Sequence, residues 1–107
     1  MGAVDQILRA LADETRRRIL TLVWRHERAA GNIASQFLVS RPAISQHLRV
    51  LVTSGLLTVR RSGTRRLYRA NRRAIARLRA ELAAFWDTSL ARLKVEAQAV
   101  ERKRGRN

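Results

Sequence analysis

Apolar residues recur along this chain at helical spacing, with one interruption near the middle. Val4, Ile7, Leu8 and Leu11 form a stripe that predicts a first helix over about residues 3–12. Asp13 suits the cap of a second helix, running to about Arg25 and burying Ile19, Leu22 and Val23. Ala29 to Gln36 fit a short third helix, with Ile33 and Ala34 inward and Phe37 closing it. Ala29 stands where a Ser, Thr, Asp or Asn cap would, a local weakness of about 0.5–2 kcal/mol. Phe37-Leu38-Val39 is a tight connection into a fourth helix. There Ser40 is the N-cap, Pro42 lies in the first turn, and Ile44, Leu48 and Leu51 recur at i, i+4 and i+7. Ser54-Gly55 ends it, with glycine in the C′ role.

The period then changes. Leu56 to Arg61 and Arg65 to Ala70 are β-rich and flank Ser62-Gly63-Thr64, which predicts a hairpin with a glycine turn. The pattern leaves open whether Leu67 or Tyr68 pairs inward with Val59. Asn71 caps a last helix reaching about Lys103, before Gly105. At 1.5 Å per residue that helix is about 50 Å long, more than the width of a small domain. Its stripe is Ile75, Leu78, Leu82, Phe85/Trp86, Leu90, Leu93, Ala97 and Val100, and the register slips by one residue at Phe85-Trp86. One small domain cannot cover so long a stripe. A twofold copy of the chain is the commonest cover.

Charge sharpens this picture. The 107 residues carry 23 Lys+Arg against 8 Asp+Glu, a formal net charge of +15. Only Lys94 and Lys103 are lysine; the rest are arginine, the better fork for phosphate and guanine. Between Arg28 and Ala80 there are twelve arginines and no acid. So uninterrupted a basic field points to a polyanion, with nucleic acid first. Arg16, Arg17 and Arg18 open the second helix against its dipole. Asp13, Glu14 or a DNA phosphate must offset them, unless they are simply solvated.

The chain has no cysteine, which excludes disulfides and thiol sensing and makes a reducing cytoplasm the expected compartment. Asp5 and Arg9 interrupt the only early apolar run, so no signal peptide is expected. No apolar run approaches the roughly 18–20 residues of a membrane span. No constellation supports catalysis. His26 and His47 lie on different elements without acids at i+4, so no metal or other cofactor is expected.

A short helix, a turn and a second helix with an apolar inner face form a helix-turn-helix, and the basic hairpin behind it reads as a wing. On the outer side of the fourth helix Ser45 and Gln46 are the expected base readers, since Gln can contact adenine bidentately. Arg41 either reads guanine or holds phosphate. Ser40 and Arg49 anchor the backbone, and Pro42 shares the outer, DNA-binding side. His47 sits at the inner edge, about 60° from Ile44, a half-buried residue within reach of a phosphate. Arg60, Arg61, Thr64, Arg65 and Arg66 make up the wing's contribution.

As a set, Ala10 to Leu20 (ALADETRRRIL), Phe37 to Leu51 (FLVSRPAISQHLRVL), Ser54-Gly55-Leu56-Leu57 and Gly63 to Tyr68 resemble the ArsR-type winged-helix repressors over about residues 3–75. Phe85-Trp86 to Leu93 is similar to the branch typified by SdpR-like autorepressors. The resemblance implies a homodimer paired through the first and last helices, bound to an inverted-repeat operator and blocking transcription. Metal-sensing members carry cysteines in or near the recognition helix, or His/Asp/Glu sets on the last helix. This chain has no Cys and no His after His47, so metal and persulfide sensing are not expected.

The expected fold is therefore mostly α with a small β-hairpin: a winged helix-turn-helix of about five helices and a two-stranded wing. Residues 1–101 form one DNA-binding and dimerisation domain, and 102–107 form a basic disordered tail. The expected function is a bacterial, nucleoid-associated regulator rather than an enzyme. It binds double-stranded DNA through the recognition helix 41–53 and wing 57–70. It pairs through Val4, Ile7, Leu8, Leu11, Leu78, Leu82, Phe85, Trp86, Leu90 and Leu93. Three rivals are a charge-only architectural protein, a protein-interaction module built on the long helix, and a ligand sensor with an apolar pocket near Trp86. Nothing in the sequence specifies an inducer.

Overall fold

The computed structural model describes residues 2–105. The elements run α1 (Gly2–Leu11), α2 (Glu14–Leu22), β1 (Arg28–Ala29), α3 (Ala30–Ser35), α4 (Arg41–Thr53), β2 (Leu57–Ser62), β3 (Arg65–Ala70) and α5 (Arg72–Gly105). The chain divides into two compact units, one ending at Ile75 and the other beginning at Ala76.

The first unit closes around one apolar core. Ile19 and Val23 from the α2 segment, Ile33 from α3, Ile44, Leu48 and Leu51 from α4, and Leu56 are at most 2% exposed. Tyr68 and Ala70 of β3 pack against them. The α4 stripe is thus buried as its spacing predicts. On α1 the buried residue is Ala10; Val4, Ile7 and Leu11 are half-buried and Leu8 is exposed.

Two features of the first unit differ from the sequence reading, and a third settles what it left open. The sheet has three strands in the order β1-β3-β2, all antiparallel, rather than the two of a simple wing. The added strand falls at the uncapped start of α3. Ala29 is extended (φ −71°, ψ 151°) with no capping side chain, and it pairs with Leu67 while Arg28 pairs with Tyr68. Backbone pairing holds the entry to α3 where a cap is missing. Next, α2 stops at Leu22 instead of Arg25, and the carbonyls at its end find donors from elsewhere in the unit: that of Val23 accepts from the Ala70 N–H at 3.1 Å. Arg28 donates to the Leu22 carbonyl at 3.2 Å, and Arg72 donates twice to that of Trp24 at 3.1 and 2.7 Å. Finally, Tyr68 is the inward residue opposite Val59 and is buried, whereas Val59 is 42% exposed.

Two glycines do conformational work. After the Ser54 cap, Gly55 (φ +85°) donates to the Val52 carbonyl and Leu56 to that of Leu51, both at 3.0 Å. That is a Schellman closure with Leu51 and Leu56 as its apolar pair. At the wing tip Gly63 has φ +63° and Thr64 does not have positive φ, the pattern of a type II′ hairpin turn between paired Ser62 and Arg65.

Asn71 caps α5, accepting from the Ala74 N–H at 3.3 Å while donating to the Gly55 carbonyl at 3.0 Å. The second unit consists of the remainder of α5. Leu78 is buried and Leu82 half-buried, whereas Phe85, Trp86, Leu90, Leu93, Val95 and Val100 are all more than half exposed. The Phe85 and Trp86 rings meet edge to face at 5.5 Å. The segment expected as a basic tail from 102 is helical as far as Gly105; residues 106–107 lie outside the described residues.

Gly55→Ala should lower stability by about 1–2 kcal/mol in urea unfolding. No atom lies within 4 Å of the added Cβ, so the cost is conformational. An unchanged midpoint would mean that the left-handed turn is not required.

Candidate nucleic-acid interface

The α3–α4 pair sets the interface. Ser40 accepts from the Ala43 N–H at 3.3 Å, and Pro42 lies in the first turn. With Ile44, Leu48 and Leu51 held in the core, helical geometry turns Arg41, Pro42, Ser45, Gln46 and Arg49 outward, and all are exposed. Among the described residues, the side chains of Ser45, Gln46 and Arg49 have no hydrogen-bond partner in the chain. The Arg41 guanidinium lies close over Gly31, where an added Cβ would meet its Nη2 at 3.4 Å.

Cross-strand register sorts the wing residues between two faces. Val59 opposes Tyr68 and Arg61 opposes Arg66, so these four share the face that carries the buried Tyr68. Arg60 opposes Leu67 and Ser62 opposes Arg65 on the other face. A cleft of about 540 Å³ runs between α4 and the sheet, with Ser45, Arg49, Arg60, Arg61 and Arg66 among the residues around it. The fold thus joins helix and wing residues that lie apart in sequence. Thr64 and Arg65 stand at the exposed tip.

Two expected contacts are engaged elsewhere. Arg60 is held by Glu27: its Nε donates to the two carboxylate oxygens at 2.9 and 3.2 Å, and its Nη2 also donates to Oε1. That pairing lowers the Glu27 pKa and raises that of Arg60. His47 turns toward α2, with Nδ1 3.3 Å from Arg16 Nη1 and 3.9 Å from Asp13 Oδ2. Sequence reading missed Glu27. Its one visible signal is position, as the last acid before the acid-free block.

The arginine run at the start of α2 is also resolved. Arg16 donates to the carbonyls of Ala10 (2.7 Å) and Arg9 (3.1 Å), and Arg17 to that of Leu11 (2.8 Å). Both guanidiniums therefore sit at the C-terminal end of α1, where the helix dipole favours cations. Arg18 lies over the Phe37 ring at 4.9 Å. Asp13 accepts from the Arg16 N–H at 2.9 Å, and that bond, aided by the nearby His47 and Arg16 charges, holds its carboxyl below the ordinary 3.8.

Among the described residues no group of three His, Cys, Asp or Glu could hold a metal ion, and no helix is long and apolar enough to cross a membrane. A helix-turn-helix followed by a basic wing, with free polar and cationic side chains converging on one cleft, defines a winged-helix DNA-binding protein. Residues 13–59 match the bacterial regulatory protein, arsR family. The chain is 44% identical over 86 residues to the HTH-type transcriptional regulator Rv2034 of Mycobacterium tuberculosis, covering 80% of each. It is 37% identical over 60 residues to the transcriptional repressor SdpR of Bacillus subtilis, covering 56% of this chain and 67% of the relative. Among solved structures it is similar to the homodimeric winged helix-turn-helix DNA-binding domain of Mb0332 from Mycobacterium bovis, with 35% identity, 80% of each chain covered and a TM-score of 0.66. The chain belongs to the ArsR family of DNA-binding transcriptional regulators.

Asp13→Ala should cost about 0.5–2 kcal/mol at neutral pH, the usual value of an N-cap. A carboxyl whose folded pKa is depressed stabilises above its unfolded pKa and loses that contribution as pH falls through the folded value. The gap between wild type and D13A in urea unfolding should therefore narrow as pH drops below 3.8. A gap independent of pH would show that the ionised cap is not the source.

Proposed function

We propose that this protein is a homodimeric repressor that binds an inverted-repeat operator through α4 and the wing. The observation that carries the reading is the shared cleft: Ser45 and Arg49 of α4 face Arg61 and Arg66 of the sheet, all exposed. Ser45 and Gln46 read base edges in the major groove. Ser40, Pro42 and Arg49 lie along the backbone, and Arg41 takes guanine or phosphate. Arg61, Thr64, Arg65 and Arg66 form the wing contacts. His47 and Arg60 are left out because Asp13/Arg16 and Glu27 engage them.

Support for the dimer comes from the apolar residues left open on single helices. Leu8 of α1 is 42% exposed, and Phe85, Trp86, Leu90 and Leu93 of α5 are 55–60% exposed. A second copy that covers them with Val4, Ile7, Leu11 and Leu82 would remove a large apolar surface from water. Leu78, already buried, adds little to such an interface. The homodimeric state stated for the Mb0332 domain agrees with this arrangement. A repressor of this kind works on the bacterial nucleoid, in the cytoplasm, without membrane attachment. The free Ser45 and Gln46 favour it over a protein bound by charge alone, which needs no hydrogen-bonding side chains on α4.

Gln46→Ala should weaken binding to a duplex selected by the wild type by about 1–3 kcal/mol and relax preference at one position. An equal loss on selected and mixed-sequence duplexes would remove Gln46 from the base readers. Trp86→Glu with Leu90→Glu should convert a sedimenting dimer to monomer. A wild-type chain that sediments as a monomer would overturn the dimer.

A further inference from the structure

One wing arginine, Arg60, is paired with an acid from outside the wing. Glu27 lies one residue before β1, and β1 pairs with β3. This topology sets Glu27 beside a strand 33 residues on, where both carboxylate oxygens accept from Arg60. Arg69, opposite Thr58 on the same face of the sheet, adds a second favourable charge to Glu27. The other face of the same two strands carries Arg61 and Arg66 toward the α4 cleft.

We infer that Glu27 is a positioning residue for the wing. By clamping Arg60 in a two-oxygen fork it withholds that cation from phosphate and sets the pose of β2. In that pose Arg61 and Arg66, one residue on and across the pair, project beside Ser45 and Arg49. The geometry suits the role. A planar guanidinium against a carboxylate fixes direction as well as distance. Arg60, the most obvious wing cation after Arg61, is therefore a structural residue. The inference rests on the DNA-binding reading above only for what the ordered wing is for.

The test has two arms on the full chain. In the free protein, amide hydrogen exchange across β2 and β3 should speed up in Glu27→Gln and equally in Arg60→Gln. The exchanged pair, Glu27→Arg with Arg60→Glu, should restore protection. Unchanged exchange in the single variants would overturn the proposal whether or not the protein binds DNA. The second arm measures affinity for a mixed-sequence duplex against salt. Each phosphate contact contributes about 0.9 to the slope of log K against log salt. Arg61→Gln and Arg66→Gln should each lower the slope by about that amount, while Arg60→Gln should leave it unchanged. A slope lowered by Arg60→Gln as much as by Arg61→Gln would make Arg60 a phosphate contact and overturn the proposal. Wild type that binds no duplex would sink the DNA reading instead, leaving the exchange arm to judge the clamp.

Discussion

The Arg16 guanidinium joins three helices. It caps the carbonyls of Arg9 and Ala10 at the end of α1, it rises from the first turn of α2, and it meets His47 on α4. Its own backbone N–H completes the Asp13 cap. Carbonyls at a helix end need donors, and a buried end without them is costly. Arg16, with Arg17 on the Leu11 carbonyl, meets that need and ties the end of α1 to the first turn of α2. Because α2 and α4 share one core, with Ile19 of α2 and Ile44, Leu48 and Leu51 of α4 in it, the pose of the outer face of α4 is tied to this junction.

Several arginines are engaged within the chain in this way and others are not. Arg16, Arg17, Arg28, Arg60 and Arg72 donate to carbonyls or to a carboxylate within the chain. Arg18 covers the Phe37 ring and Arg72 the Trp24 ring. Arg49, Arg61, Arg65 and Arg66 are exposed, with no hydrogen-bond partner among the described residues. A net charge of +15 therefore overstates what is offered to a polyanion, because part of it holds helix ends and the sheet in place. The cations left over include those of α4 and the wing, together with others such as Arg73, Arg77 and Arg79 of α5. Specificity comes from the uncharged side chains between them, since phosphate contacts position and base contacts specify.

Most of the fold was legible because local signals agreed with one another. The Ser40 and Asp13 caps, the Ile44-Leu48-Leu51 stripe, the Gly55 closure and the Gly63 turn each act within a few residues, and each stands in the structure as the pattern implies. Long-range pairings were not legible. Nothing local in Arg28-Ala29 marks a strand, because its partner lies some 40 positions away in β3. The Arg16–Arg18 run looked misplaced against the α2 dipole because a sequence cannot show that its guanidiniums reach back to α1. Arg60 counted as a free wing cation for the same reason: Glu27 is near it only after β1 has joined the sheet. On the candidate site, the residue types on α4 were readable from periodicity. The two-faced sorting of the wing required the register.

Selection of duplexes from a randomised pool by the purified full chain bears most directly on whether the α4–wing cleft, doubled by a second copy, reads sequence. A twofold pair of recognition helices requires half-sites about one helical turn apart, roughly 10–10.5 base pairs centre to centre, or a multiple of it. The result expected is a single inverted repeat with that spacing, bound at least about a thousandfold more tightly than mixed sequence at physiological salt. Recovery of unrelated duplexes with a specificity ratio near one, or of an unrepeated half-site alone, would contradict it.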